Sequence, residues 1–257
     1  MSEKTGIKWT DATWNPVTGC DRVSEGCDHC YALTLAARLK AMGNPRYQTD
    51  GPARTSGPGF GLTLHPDKLL EPLRWHSPRM VFVNSMSDLF HPDVPDQFIR
   101  DVWDIMVAAP RHTFQILTKR PRRMASLLAD TWPLPNVWLG VSAENQRWAD
   151  QRIPLLMKTP AAVHFVSAEP LLGPIFLEQY PDWLIIGGES GDGHRPMNPE
   201  WAEHLVYQAD SSAMDDFPGT AVFVKQDSGR YPGMQGRLSD ALWARKEFPD
   251  VTREGGR

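Results

Sequence analysis

The residues best equipped for chemistry are three cysteines, Cys20, Cys27 and Cys30, in the stretch GCDRVSEGCDHCYA. They are the chain's only cysteines, separated by six residues and then by two. A secreted disulfide scaffold uses an even number spread along the chain, so an odd cluster points instead to metal or redox chemistry. A compact loop with these spacings can turn three sulfurs toward one centre, and Gly19 and Gly26 let its backbone bend. An iron–sulfur cubane normally takes four protein thiolates, one per iron. Three thiolates leave one iron open to a small-molecule ligand. The spacing favours such a 4Fe-4S cluster. Zinc is the rival, with His29 or a remote histidine as fourth ligand, although no second ligand pair at matched spacing lies nearby. Three unrelated buried thiols are the remaining reading, which so tight a spacing disfavours.

These residues need a frame to hold them. The chain has 257 residues, 41% hydrophobic and 23% charged, values that suit a globular protein and argue against wholesale disorder. A formal net charge of −4 disfavours a generic, non-specific nucleic-acid binder. No apolar run approaches the ~20 residues that span a bilayer, so no membrane association is expected. The opening MSEKTGIKWTD has no apolar signal region, which places the expected location in the cytoplasm.

A β/α rhythm carries the rest. A short strand is expected around residues 13–17, then a helix over 31–42 that stops at Gly43-Asn44-Pro45. Residues 44–61 read as irregular loop and 64–75 as a short amphipathic segment. Strands are expected at 80–84, 113–117, 136–141, 163–166, 183–186 and 220–224. Helices are expected at 95–109, 121–129, 145–157 and 199–214. The strands are apolar and β-branched throughout, as parallel strands covered on both faces should be. Two α/β architectures fit: a (β/α) barrel, partial or complete, and an open doubly wound sheet. Polar residues gather after nearly every strand, and a barrel brings all those ends to one mouth; the barrel is therefore expected. Residues 1–226 would form it. Residues 227–257, rich in glycine and charge, would be a C-terminal extension covering part of the mouth or hanging loose, with one short helix at 239–246.

In chain order, WTDATWNPVTGC, GCDHCYA, SMSDLFH, ILTKRP, LGVSAEN, VSAEPLLG and IIGGESG run from Trp9 to Gly191, within a resemblance that extends from about Trp9 to Gln226. Together they resemble a family of phage and bacterial proteins of unknown function, the phage three-Cys-motif family, placed beside the radical S-adenosylmethionine (SAM) enzymes. A three-cysteine loop after the first strand of a β/α barrel is similar to that superfamily too. The resemblance implies a barrel of the radical SAM type, with Cys20, Cys27 and Cys30 holding the cluster. It implies SAM on the open iron, split on reduction to a 5′-deoxyadenosyl radical that abstracts hydrogen from a substrate. The cofactor does that chemistry; the protein orients it and excludes water. A phage or mobile-element role and a separate partner protein are implied as well. The first cysteine gap departs from the superfamily, where three residues are usual, while the second gap matches. His29 stands where that superfamily commonly has an aromatic residue.

Under this resemblance the strand exits acquire roles. A SAM amino group is cationic, so Ser85 and Asp88 are its candidate acceptors. The Gly-Gly-Glu often found there is missing; Gly187-Gly188-Glu189 comes much later and is not given that role. Ribose hydroxyls suit Ser142, Glu144 or Asn145. Gly187 and Gly188 would admit an adenine or a phosphate, and Glu169 and Glu189 would serve substrate or cofactor. The basic run Lys119-Arg120-Pro121-Arg122-Arg123 is either a phosphate contact for a nucleotide or nucleic acid, or a solvated face. His91 and His194 are acid–base candidates or ordinary loop histidines. The function expected is an iron–sulfur, radical-SAM-like enzyme acting on a nucleotide or nucleic-acid base. The alternative is a zinc- or cluster-stabilised, non-catalytic binding protein working with a partner; a zinc-dependent hydrolase comes third.

Overall fold

The structure is a computed structural model that describes residues 5–129, 133–213 and 219–250. In chain order its elements are β1 (Ala12–Trp14), β2 (Val17–Thr18), α1 (Tyr31–Ala41), β3 (Thr63–Leu64), β4 (Met80–Val83), α2 (Asp96–Ala108), β5 (Thr113–Thr118) and α3 (Pro121–Leu128). There follow β6 (Val137–Ser142), α4 (Gln146–Met157), β7 (Val163–Ala168), β8 (Trp183–Gly187), α5 (Pro199–Ser211), β9 (Ala221–Gln226) and α6 (Asp240–Trp243). Asn145, Asn198 and Ser239 cap α4, α5 and α6, each side-chain oxygen accepting from a backbone N–H of the first turn. On α2, Phe98, Ile99, Val102 and Met106 form the buried stripe.

Seven strands pair in parallel in the order β1-β4-β5-β6-β7-β8-β9. The order never reverses, so the sheet lacks the switch point of a doubly wound fold. Crossovers of one hand wound in one direction leave α2, α3, α4 and α5 on one face, while α1 packs separately against Tyr47, Phe60 and Met86 beside the cavity. The outward residues of the strands accordingly share a core with the buried stripes of α2, α3, α4 and α5. The opposite face holds its own aromatic cluster around Trp9, Phe82, Trp138, Phe165, Trp183 and Phe223. Trp9 measures the curl. Its ring lies 4.7 Å from Phe82 on β4 and 5.9 Å from Trp183 on β8. Those strands are four steps apart, roughly 19 Å in a flat sheet at about 4.8 Å per step. The sheet is therefore rolled into a half-barrel. Gly140 makes room inside it: a Cβ there would overlap the Phe165 ring.

The first expected strand is divided at Asn15-Pro16. β1 joins the large sheet, whereas β2 turns away to pair antiparallel with β3. The segment expected to be one amphipathic stretch is two 3-10 turns, Pro66–Lys68 and Pro72–Arg74. The expected end of α5 at Met214 lies outside the described residues. Residues 227–250 pack rather than hang loose. Asp227 N–H bonds Met234 O near the mouth, α6 buries Leu242, and the chain then runs antiparallel beside β9. Phe248 ends on Trp183, ring centroids 5.3 Å apart, below the aromatic floor. No helix among the described residues is long and apolar enough to cross a membrane.

β2 is tied to the turn after β3 by a 2.8 Å hydrogen bond between Thr18 Oγ1 and His65 Nε2. Burial, seconded by Arg46, pushes His65 down from 6.5 to about 4. A folded-state value below the unfolded one means the unfolded chain takes up the proton first. Stability should therefore fall as pH drops from 6.5 toward 4. In denaturant titrations across that window, His65→Gln should flatten the slope relative to the parent. An unchanged slope would place the titration elsewhere.

Candidate functional site

Strand parity builds the site. Residues facing the lumen change from apolar to polar toward the C-terminal strand ends: Trp138–Gly140–Ser142 on β6, Phe165–Ser167 with Glu169 beyond β7, and Phe223–Lys225 on β9. The result is a cavity of about 230 Å³ with an aromatic floor and a polar rim. Cys20, Cys27 and Cys30 all line its mouth, and all three are free thiols.

The cysteine loop is fastened to exits of the sheet on several sides. Ser24 Oγ donates to Glu144 Oε1 at 2.6 Å. Glu25 accepts from Asn145 Nδ2 at 2.5 Å and from Trp148 Nε1 at 2.8 Å, while its backbone oxygen accepts from Arg195 Nη2 at 2.8 Å. Asp21 Oδ1 accepts from Thr55 and Ser56 hydroxyls at 2.6 and 2.5 Å. His91 Nε2 stands 3.1 Å from Asp21 Oδ2. Arg120 completes the set. Asp88 holds it at 2.9 Å, and its Nη1 donates to Cys20 Sγ at 3.4 Å while Nη2 donates to Asp21 O at 3.0 Å.

Two of the thiols, Cys20 and Cys30, are poorly solvated. Burial, with Asp88 nearby, pushes Cys20 up to about 12, and burial pushes Cys30 up as well. Both are therefore protonated at neutral pH in the metal-free chain, and a cation at the sulfurs is what would displace the protons. Among the described residues, no three His, Cys, Asp or Glu side chains are grouped as they would be around a single metal ion.

The residues expected from the sequence divide into two groups. Ser85, Asp88, Ser142, Glu169 and Glu189 line the cavity with the cysteines. Glu144, Asn145, Gly187 and Gly188 do not. Glu144 lies fully buried beneath the loop, its oxygens taken by Ser24, Lys119 and Arg152 rather than open to a ribose. Asn145 caps α4 and grips Glu25. A Cβ on Gly187 would come 3.2 Å from Glu169 Cδ, so this glycine gives room to a protein carboxylate. Gly188 is pressed against the Asp227–Ser228 backbone. Two of the lining carboxylates are also saturated. Asp88 accepts from Phe90 N–H, Thr118 Oγ1, Lys119 N–H and Arg120, and Glu189 accepts three bonds from Arg195. His29 Nδ1 lies 3.4 Å from Glu189.

The basic run is mostly spent inside the protein. Lys119 pairs with Glu144, Arg120 with Asp88, and Arg123 with Asp96 and the His91 and Val94 carbonyls. Arg122 alone is exposed. His91 is buried against Asp21, and His194 Nδ1 contacts Gly191 O at 2.9 Å, so both serve loops. The sequence marked Ser167 and Lys225 only as polar strand exits, without a role, and missed Trp9. Lys225 follows Phe223 by two on β9, a parity signal that could have found it; Arg195 had none. Asn84, whose φ is 60°, lines the cavity with its Nδ2 lacking a protein partner among the described residues.

Residues 4–237 match a family described as "Protein of unknown function (DUF5131)". The chain belongs to that family. The match spans the half-barrel, the cysteine loop and the mouth-side part of the C-terminal segment. No curated protein and no solved structure matches the chain.

Proposed function

We propose that the chain is an iron–sulfur enzyme of the radical SAM type, in which Cys20, Cys27 and Cys30 hold a 4Fe-4S cluster at the mouth of the half-barrel. The observation that carries this is three free thiols on one cavity, in a loop that the surrounding exits already fix. The donor set suits a cubane, which takes each thiolate at a different iron. Arg120 offsets negative charge at Cys20 through its N–H. With three protein thiolates, the cluster would supply one electron and one open iron position.

The chain's own residues then divide the work. The loop and its staples fix the thiols. Ser142, on the cavity, remains available to SAM, whereas the Ser85 hydroxyl is bonded to the Asn15 amide at 3.2 Å and Asp88 acts through Arg120. The aromatic floor excludes water from the lumen, where the substrate, a nucleotide or nucleic-acid base, would lie. A separate partner protein and a phage or mobile-element setting are part of this proposal.

Anaerobic purification with iron, sulfide and zinc assays and a visible spectrum tests it. About four irons with equal sulfide are expected, lost in C20A/C27A/C30A, and SAM should yield 5′-deoxyadenosine under reduction. One zinc without sulfide, or iron unchanged in the triple variant, would sink the assignment.

A further inference from the structure

Most charged groups around the cavity are saturated by structural partners. One pair is not. Glu169 Oε1 and Lys225 Nζ lie 2.5 Å apart on the rim, each side chain 19% exposed, and neither makes another side-chain hydrogen bond among the described residues. Beside them Ser142 and Ser167 are register partners on β6 and β7 that line the same cavity. Neither hydroxyl has a protein partner among the described residues. Below, Trp9 and Phe82 present flat apolar walls. Trp9 is 3% exposed and lines the cavity.

We infer that this rim binds the lactam edge of a nucleobase: the ring N–H donates to the Glu169 carboxylate, and the adjoining carbonyl accepts from the Lys225 ammonium. The exchange leaves the net charge unchanged, because the ligand's donor and acceptor replace the pair's own contact. The hydroxyls are left for the next polar atom of the ring, and the aromatic walls suit its flat faces. A cavity of about 230 Å³ fits a base or nucleoside. This inference rests on the reading that the lumen is the substrate's place, and names the substrate class.

Binding of uridine, guanosine, adenosine, 3-methyluridine and glycine to the full, anaerobically purified chain tests it, by calorimetry. Uridine or guanosine should bind at least tenfold more tightly than adenosine or 3-methyluridine, which lack the carbonyl and the N–H respectively. K225M and the charge-neutral pair E169Q/K225M should each weaken binding tenfold or more, and S167A two- to fivefold. A single-stranded oligonucleotide of the preferred base distinguishes a polymer substrate from a free one. No binding at 1 mM, equal binding of adenosine, preference for glycine, or variants of native near-ultraviolet dichroism that bind like the parent would each overturn the inference. Iron and sulfide measured on the same preparations keep the two readings apart: base binding without a cluster defeats only the metal assignment, and a cluster without base selectivity defeats only this one.

Discussion

Glu144→Ala is expected to destabilise the chain by about 3–5 kcal/mol, the loss typical of leaving a buried charge unpaired. Glu144 is fully buried, and Arg152, only 2% exposed, donates to it at 2.9 Å. Lys119 can swing toward the cavity when its partner is removed. Arg152 cannot, because it is packed over Trp148 at 4.1 Å and bonded to Ser142 O. The same substitution frees Ser24, so cluster retention should fall with stability. Burial pushes the Glu144 carboxyl up, but Lys119 and Arg152 outweigh it and hold it below its ordinary value of 4.5. Its contribution is thus present above that pH and lost as pH falls below it. Denaturant midpoints for the parent, E144A and E144Q measure both effects. A loss under 1 kcal/mol in E144A would show that the ion triad is incidental.

Trp183→Ala is the second large effect, again about 3–5 kcal/mol, as for other buried tryptophans. Trp183 is fully buried. Its ring contacts those of Trp9, Trp138, Phe165, Phe223 and Phe248, and its Nε1 donates to Glu247 O at 2.9 Å. Removing it opens the floor of the lumen and unpins the C-terminal segment together. Protease sensitivity after Glu247 should therefore rise in step with the drop in denaturant midpoint. A midpoint within 1 kcal/mol of the parent would mean that the floor repacks.

Much of the architecture was legible because parallel strands covered on both faces leave uninterrupted apolar runs. Each of β4 to β9 falls within two residues of its expected position. β2 and β3, two residues each, were not legible: such short pairings are set by tertiary contact, not by local pattern. The cysteines and the polar exits marked where the site lies. They did not mark which carboxylates are already taken. Asp88, Glu144 and Glu189 look as reactive in the sequence as Glu169 does, and only their partners, from Phe90 to Arg195, show them to be structural. Arg195 reaches Glu25 across 170 positions of chain, a distance no local pattern reports.

The antiparallel run of Arg245–Glu247 beside β9 has a consequence for how copies of the chain meet. An incomplete barrel has two bordering strands, each a template on which a foreign strand could add. β1 offers only three residues. β9 would offer six, with Val222 and Val224 among them, but Val224 N–H already bonds Arg245 O and Glu247 N–H bonds Val222 O. The positions where a neighbouring molecule would begin to polymerise are occupied by the chain itself.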